Sequence, residues 1–412
     1  MATILHFADA HIDMANYGRH DPQSGLPVRV MDFLKSLDII VDTAIEEGVD
    51  LVLFAGDAFK DRNPAPTFQR EWGKRIMRLS RAEIPTILLV GNHDLSPALG
   101  RAHALEAFDT LEVPHIQVVD RPAFLTPDDL EGIPLQVIAV PWVSRSGLMA
   151  YLEISFHDTI DIFEQMGERL IGLIDDWIEQ ADPDIPLVLS AHCSVEGAQY
   201  GSERKVMLGK ELVLPGSVVR DPRLDYTALG HIHKAQNLND GRHPPVVYPG
   251  SIERLDFGEK DDQKVFVIAH VERGNTTVEL RTLDHTRPFF DRFIPLESKE
   301  NITEHILSKL PKQDELEGSI FRIVLEYPRD WEALVDESTL AQYASGCFEF
   351  HLVKRPKTDT RVRLPEDQNV SGMGPLELLD LYLRANHIDP ADRKILRGIA
   401  AEIFNVQRQD GE

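Results

Sequence analysis

Five short segments of the chain combine carboxylate, amide and imidazole side chains, which are groups that bind divalent metal ions. Each segment lies where a predicted β-strand ends, and the strand ends of one sheet are where distant parts of a sequence converge. The segments are Asp9-Ala10-His11, Gly56-Asp57, Gly91-Asn92-His93-Asp94, Ala191-His192 and Gly230-His231-Ile232-His233. Their order and position predict a site for two metal ions.

The spacing of the acids and imidazoles supports this prediction. Asp9 and His11 are two residues apart on an extended segment, so their side chains point the same way, and His231 and His233 repeat that spacing. Asp57 has two carboxylate oxygens and could bridge both ions. Such a ligand set suits Mn²⁺, Fe, Zn or Mg rather than a soft metal. Two such ions, typically about 3.5–4 Å apart, activate a bridging water and clamp the oxygens of a phosphoryl group.

His93 and Asp94, directly after Asn92, are expected to act in catalysis rather than as metal ligands. We expect His93 to lie beside the metals, where it could donate a proton to a leaving alkoxide or stabilise the charged transition state. We expect Asp94 to hold the ring of His93 and to keep it cationic. Each short motif taken alone also has a structural explanation, but all five in this order favour a functional one. His6 alternates away from the set, so we expect it in the core.

The composition sets limits on the class of protein. A length of 412 residues predicts two or three domains. The formal net charge of −25 argues against DNA binding by this chain alone and favours a basic partner, because phosphate contacts need Lys and Arg. Bound divalent cations would nevertheless reverse the charge locally.

Cysteine usage and hydropathy indicate the compartment. Cys193 and Cys347 are the two cysteines, so neither a disulfide framework nor a cysteine-rich zinc site is possible. The start, MATILHFADAH, lacks the basic region and apolar core of a secretory signal. No run of about eighteen apolar residues indicates a membrane span. We therefore expect a soluble, cytoplasmic protein.

The first hundred residues alternate between strand and helix patterns. Apolar residues at helical spacing predict helices over 28–47 and 66–82, and the first of these is followed by Gly48, a favourable C-terminal stop. Continuous apolar runs predict strands buried on both faces at residues 3–8, 50–55 and 86–90. This alternation predicts a parallel sheet with right-handed crossovers.

Later strands follow one another closely and predict a second sheet packed on the first, hence an α/β sandwich. One long helix is predicted over 158–181, and residues 194–222 are predicted to form a long loop near the site. We place a domain boundary near 284–287, a small α+β domain after it, and a Pro/Gly-rich linker at 355–374. Two amphipathic helices, starting at Pro375 and at Asp389-Pro390, could fold back or dock onto a partner.

The ordered motifs, together with GDAFKDRNPAP, LLVGNHD and YPGSIERLDFGE, resemble the calcineurin-like metallophosphoesterase superfamily and within it the SbcD-type nucleases. The resemblance implies a two-sheet α/β/β/α metallophosphoesterase sandwich with a small α+β capping domain and C-terminal helices. It implies a nuclease domain at 1–283, a capping domain at 284–365, and a linker with partner-binding helices at 366–412.

The resemblance also assigns roles to the motif residues. It implies that one metal is bound by Asp9, His11, Asp57 and His233, and the other by Asp57, Asn92, His192 and His231. It makes His93, with Asp94, the transition-state residue. It further implies Mn²⁺-dependent exonuclease and endonuclease cleavage of DNA in the processing of double-strand breaks and hairpins. The implied partner is an SbcC-type coiled-coil ABC ATPase that binds the C-terminal helices.

Lys60 and the helix 66–82 limit what can be transferred from the family to this chain. Some relatives carry a histidine where this chain has Lys60, so a role of that histidine cannot be transferred. The family dimerises through helices beside the site, and the helix 66–82 has an apolar stripe that predicts either a homodimer interface or core packing. The stripe comprises Phe68, Trp72, Ile76 and Leu79.

Two other functions are compatible with the motifs. One is a metallophosphoesterase that acts on small phosphodiesters or phosphomonoesters, although a small substrate does not require 130 further residues. The other is a scaffold of the same fold that has lost catalysis, although every ligand position is filled here.

Overall fold

The computed structural model describes residues 1–17, 19–95, 102–143, 162–201, 213–357, 374–385 and 388–409. The chain forms two compact units. The first comprises Met1–Asp291, Asp314–Phe321 and Gly346–Glu349, and the second comprises Arg292–Gln313, Arg322–Ser345 and Phe350–Glu412.

The first unit contains two six-stranded sheets within the described residues. The first sheet has the order β14-β13-β1-β2-β3-β4, in which β1 to β4 run parallel, β13 pairs antiparallel with β1, and β14 pairs antiparallel with β13. Its strands are β1 (Ala2–Phe7), β2 (Leu51–Phe54), β3 (Thr86–Leu89), β4 (Ile116–Val119), β13 (Val265–Val271) and β14 (Thr277–Thr282). The predicted parallel core is therefore confirmed.

The second sheet has the order β11-β12-β10-β7-β6-β5, with β6, β7, β10 and β12 parallel. Its strands are β5 (Ala123–Leu125), β6 (Gln136–Val140), β7 (Leu187–His192), β10 (Tyr226–Gly230), β11 (Gln236–Asn237) and β12 (Val246–Tyr248). The helices of this unit are α1 (Val28–Glu47), α2 (Pro66–Arg81), α3 (Glu106–Thr110), α4 (Ile162–Gln180) and α5 (Gly216–Val219).

Side-chain alternation along the strands sorts the core into layers. In β1, Leu5 and Phe7 pack in a cluster with α1 and α2, whereas Ile4 joins a cluster made by the facing sides of both sheets. On the outer side of the second sheet, Leu189 packs with Ile174 of α4. Each fully buried side chain of this size contributes about 1.5–3 kcal/mol. The layer order is therefore α/β/β/α, as predicted.

The apolar stripe of α2 faces this core. Trp72, Ile76 and Leu79 are at most 1% exposed, and Phe68 packs against the same cluster. Pro66 occupies the first turn, where its missing N–H costs no hydrogen bond. The stripe therefore packs in the core of one copy, which is the second of the two predicted explanations for it, and the homodimer through the helix 66–82 stays a prediction.

The second unit contains most of a three-stranded sheet of β15 (Phe289–Pro295), β16 (Ile320–Pro328) and β17 (Glu349–Lys357). Its helices are α6 (Ile302–Leu307), α7 (Glu337–Tyr343), α8 (Pro375–Ala385) and α9 (Pro390–Gln409). The predicted linker starts too early, because residues 355–357 continue β17; residues 358–373 lie outside the described residues. The boundaries 1–283, 284–365 and 366–412 stay predictions.

Several short strands and one short helix were not predicted from the sequence. The predicted loop at 194–222 contains β8 (Ser194–Val195), β9 (Val213–Leu214) and α5, while residues 202–212 lie outside the described part of the chain. Strands of two residues are too short to show a period, so only tertiary contacts reveal them. Of the predicted helix 158–181, residues 162–180 are helical and 158–161 are not among those described. No helix among the described residues is long and apolar enough to cross a membrane.

Candidate metal centre

The predicted site residues lie at the carboxyl ends of strands from both sheets. Parallel strands end at the same edge of their sheet, and the packing of two such sheets brings the two edges together. Asp9 and His11 follow β1, Asp57 follows β2, Asn92, His93 and Asp94 follow β3, His192 ends β7, and His231 and His233 follow β10.

The backbone at these strand ends adopts an unusual conformation. Asp9, His11, Asp57 and His231 have φ values of 50°, 40°, 63° and 100°, in the left-handed region that residues with a side chain rarely adopt. Each such residue costs on the order of 1–3 kcal/mol, and such costs cluster at functional sites. The turns thereby aim consecutive polar side chains into one place.

The first group of possible ligands contains Asp9, His11 and His233. One ligand atom of each lies within 4.8 Å of the others. The Nε2 atoms of His11 and His233 are 3.2 Å apart. Asp9 and His11 are fully buried, and burial raises the pKa of Asp9, so a bound cation would offset the cost of its charge.

The second group contains Asp57, His192 and His231, again with one ligand atom of each within 4.8 Å of the others. Asn92 Oδ1 lies 3.0 Å from His192 Nε2 and 3.0 Å from His231 Nδ1, so the amide oxygen points into the same group. The indole of Trp142, which sequence reasoning missed, lies with its ring centre 4.9 Å from that of His231. Trp142 follows β6 just as the other site residues follow their strands.

Asp57 reaches both groups. Its Oδ2 lies 3.4 Å from His192 Nε2 and 3.8 Å from His11 Nε2. Burial alone would raise the pKa of Asp57, but His192, His93 and His11 hold it well below its usual range. Burial alone would lower the pKa of His192, but Asp57 raises it to about 9. Buried carboxylates, imidazoles and an amide oxygen around adjacent points fit two divalent metal ions.

Backbone carbonyls fix which ring nitrogen faces the site. His11 Nδ1 donates to the carbonyl of Phe59 at 3.1 Å, and His192 Nδ1 donates to the carbonyl of Ala55 at 2.7 Å. Their Nε2 atoms are therefore the nitrogens that face the site and that would bind a metal. The ligand roles themselves stay predictions.

His93 lies beside the first group but is not one of its possible ligands. Its ring centre lies 5.3 Å from that of His11, at nearly a right angle. Its backbone N–H donates to Asp57 Oδ1 at 2.8 Å, and its ring Nδ1 donates to the carbonyl of Lys60 at 2.8 Å. Nε2 is thus the nitrogen that remains for a substrate. Burial lowers the pKa of His93, although the charge of Asp57 opposes this.

The expectation that Asp94 holds the ring of His93 is wrong. The carboxylate of Asp94 is 1% exposed and accepts backbone N–H groups from Asp57 (2.9 Å), Ala58 (2.9 Å), Phe59 (3.4 Å) and Gly91 (2.9 Å). Burial, together with the charge of Asp57, raises the pKa of Asp94 to about 7. Asp94 therefore anchors the turn that carries Asp57, and the carbonyl of Lys60 holds the His93 ring instead.

Asp13, which was not among the predicted site residues, holds the carbonyl of Lys60 in place. It accepts the backbone N–H groups of Lys60 and, at 2.9 Å, of Asp61, so it fixes the peptide whose carbonyl orients His93. Lys60 thus contributes its backbone carbonyl to the site. The sequence contains one indication of Asp13. It lies two residues after His11, just as His11 lies two residues after Asp9.

Replacing Asp13 with alanine should therefore misplace His93. We expect kcat for a chromogenic phosphodiester to fall about ten- to a hundredfold, since a misplacement of about 1 Å can have that effect, with metal content unchanged. Asp61→Ala is the matched control, because the side chain of Asp61 lies in the same loop and accepts the Asn63 N–H rather than that of Lys60. An unchanged kcat in the Asp13 variant would contradict this role.

The two facing sheets and the paired ligand groups define a metallophosphoesterase. Residues 2–235 match the family described as calcineurin-like phosphoesterase, and the chain belongs to that family. Residues 2–235 are accordingly the domain of a metal-dependent hydrolase of phosphate esters.

Three curated relatives are about 25% identical to this chain over the regions that align with it. The metallophosphoesterase YhaO of Bacillus subtilis is 25% identical over 68% of this chain and 60% of its own length. The DNA double-strand break repair protein Mre11 of Archaeoglobus fulgidus is 26% identical over 75% and 65%. The SbcD component of the SbcCD nuclease of Escherichia coli is 25% identical over 69% of each chain. The match thus spans less than two thirds of the first two relatives.

Proposed function

We propose that the protein is an SbcD-like nuclease subunit that hydrolyses DNA phosphodiester bonds with two metal ions. One observation carries the proposal: the side chains of both predicted ligand groups converge, and His93 lies beside them with its ring held through Nδ1 by the carbonyl of Lys60. The similarity to an Mre11 protein and to the SbcD component of a nuclease supports DNA as the substrate. The complete site also disfavours a scaffold that has lost catalysis.

We propose that Asp9, His11, Asp57 and His233 hold one ion and that Asp57, Asn92, His192 and His231 hold the other. Bound together, such ions supply Lewis-acid activation of a water and of the phosphoryl oxygens. His93 is held through Nδ1 by the carbonyl of Lys60, so its Nε2 donates to the leaving oxygen when the ring is protonated. A bound phosphate favours the protonated ring by its negative charge.

Mn²⁺ is the metal that we propose for the site. Carboxylate and amide oxygens combined with imidazole nitrogens form a set between hard and intermediate ligands, which suits Mn²⁺ well. Mg, Fe and Zn are the alternatives, and activity measured with each metal in turn separates them.

The C-terminal helices are the proposed binding site for an SbcC-type ATPase. Among the side chains that the structure describes, α8 and α9 expose five large apolar ones, which a partner surface would cover. They are Leu378 (40% exposed), Tyr382 (55%), Ile395 (61%), Leu396 (42%) and Ile399 (51%). A partner that contributes basic surface would also offset the net charge of −25 in binding DNA.

An assay on two substrates tests the proposal. The full chain and a chain lacking 374–412 are each given linear duplex DNA and a chromogenic phosphodiester with Mn²⁺, with and without the ATPase. We expect both chains to cleave the small ester, and only the full chain to form a complex on a sizing column. Activity on the small ester alone, even with the ATPase present, would favour the small-molecule phosphoesterase. An unchanged complex after truncation would contradict the docking site.

A further inference from the structure

Lys234 directly follows His233, the last residue of the five metal motifs, and its side chain is held by a specific contact. Lys234 Nζ donates to Gln199 Oε1 at 3.1 Å; Gln199 is exposed and Lys234 is half-buried. An ammonium group has three N–H donors, so a bond to one amide oxygen leaves it able to bind an anion as well. The charge of Lys234 is therefore presented at the carboxyl end of the second sheet, beside the predicted metal centre.

Gln236 fixes the backbone on both sides of this contact. Its side chain accepts the backbone N–H of Gln199 at 2.9 Å, and it donates to the carbonyls of Gln199 at 2.9 Å and of Lys234 at 3.1 Å. Gln236 itself belongs to β11, where it pairs with Tyr248 of β12. The loop that carries Gln199 is thus anchored through its backbone, and it does not depend on the bond between the Gln199 side chain and Lys234.

The acceptor of Lys234 is a neutral amide, whereas three other lysines of this chain have charged acceptors. Lys74, Lys264 and Lys354 each place Nζ next to a glutamate oxygen, at 2.9, 2.7 and 2.8 Å. A carboxylate offsets the charge of an ammonium, whereas an amide orients the ammonium and leaves its charge in place. In a chain with a net charge of −25, such a charge beside a phosphoesterase centre attracts a phosphate locally.

A phosphate next to the scissile one would pass close to Lys234. His233 is a predicted ligand of the first group, and the Cα atoms of consecutive residues are about 3.8 Å apart. The phosphates of one nucleic-acid strand follow one another about every 3.4 Å along the helix axis. A strand whose scissile phosphate lies at the centre therefore has a further phosphate within reach of the long side chain of Lys234.

We propose that Lys234, oriented by Gln199, binds a phosphate that neighbours the scissile one, so that the centre prefers substrates with two or more phosphates on one strand. Gln199 and Gln236 are positioning residues, and Lys234 contacts the substrate itself. This inference rests on the proposed two-metal centre and deepens the proposed function, because it names the contact by which a polynucleotide is preferred over an isolated phosphodiester.

Two pairs of chromogenic nucleotides test the proposal without DNA. One pair is thymidine 5′-(4-nitrophenyl phosphate) with and without a 3′-phosphate, and the other is thymidine 3′-(4-nitrophenyl phosphate) with and without a 5′-phosphate. The members of a pair differ only in the second phosphate, so the ratio of their kcat/KM values measures its contribution. For the full chain with Mn²⁺ we expect a ratio of about five to twenty in at least one pair, as for a charge-assisted hydrogen bond at a partly exposed site.

Two variants remove the available charge in different ways. Lys234→Met deletes the ammonium, and Gln199→Glu places a carboxylate against it while keeping the backbone bonds to Gln236. In both variants the ratio should fall below about two, since the second phosphate then meets no available charge. Lys234→Arg keeps a positive charge and should keep most of the ratio. Lys35→Met, which removes an exposed lysine of α1, is the matched control and should keep all of it.

Equilibrium binding provides a measurement that does not depend on turnover. Thymidine 3′,5′-bisphosphate carries two phosphates and thymidine 5′-phosphate carries one, and calorimetry with Mn²⁺ gives the Kd of each. The bisphosphate should bind about five- to twentyfold more weakly to Lys234→Met and to Gln199→Glu than to the unmodified chain, whereas the Kd of the monophosphate should change less than about twofold. Lys35→Met should bind both nucleotides as the unmodified chain does.

A ratio near one in both pairs for the unmodified chain would overturn the proposal. A ratio that Lys234→Met and Gln199→Glu leave intact, or an equal loss in Lys35→Met, would also overturn it. A chain that shows the expected ratios but leaves DNA intact would refute the nuclease proposal alone. A chain that cleaves DNA but shows a ratio near one would refute only the role of Lys234.

Discussion

Replacing His93 with alanine should lower phosphodiester cleavage by about a hundred- to ten-thousandfold, the usual contribution of a positioned proton donor. Because His93 lies beside the ligand groups and donates its ring N–H to the carbonyl of Lys60, its loss removes no predicted ligand. Two metal ions per chain should therefore remain bound. Initial rates on duplex DNA and on a chromogenic phosphodiester, with metal content from elemental analysis, measure both effects.

His115→Ala is the matched control for this variant. His115 bonds Glu131 at the surface, 2.7 Å away, and belongs to no motif of the site. Its replacement should leave the rate unchanged. A normal rate in His93→Ala would show that another group supplies the proton, whereas a loss of metal would show that His93 supports a ligand.

Replacing Asp57 with asparagine should have the other large effect, because this carboxylate reaches both ligand groups. Asparagine keeps the volume and one oxygen, which can still accept the His93 N–H, but it removes the charge shared between the sites. We expect metal content to fall from two ions to one or fewer per chain, and the cleavage rate to fall by about a thousandfold or more.

Thermal unfolding provides an independent measure of the same change. A metal present at about a hundred times its dissociation constant stabilises a protein by about 2.7 kcal/mol. Chelation should therefore lower the Tm of the unmodified chain by several degrees and lower that of Asp57→Asn by clearly less. Asp61→Asn, a nearby acid outside both groups, should respond like the unmodified chain. An equal response of Asp57→Asn to chelation would contradict a bridging role.

The sequence determined the elements that place the site. The helix predicted over 28–47 spans Val28–Glu47, and it ends at Gly48, whose φ of 58° is the left-handed conformation that glycine adopts without strain. The strands before Asp9, Asp57 and Asn92 also lie where they were predicted. Hydrophobic period and stop signals are local properties, so they can be read without knowing which segments meet.

Tertiary structure alone decided which groups the site residues contact. His6 was expected in the core, and it lies there, bonded to the hydroxyl of Tyr226 at 2.8 Å. By contrast, the sequence paired His93 with its neighbour Asp94, whereas the structure pairs it with the carbonyl of Lys60. Every residue has a carbonyl, so no residue type marks this partner in the sequence.

The sequence alone also does not show which surface a helix stripe faces or which residues hold a site residue in place. The stripe of α2 has the same sequence whether it faces the core or a second copy, and only the packing of Trp72 against the sheet shows which is realised. Glu259 Oε1 lies 3.0 Å from His233 Nδ1, although the two residues are 26 apart in the sequence and no spacing rule joins them. Residue type and period thus determined which side chains carry the chemistry. The folded chain alone determined their partners, because those contacts depend on how loops distant in sequence meet.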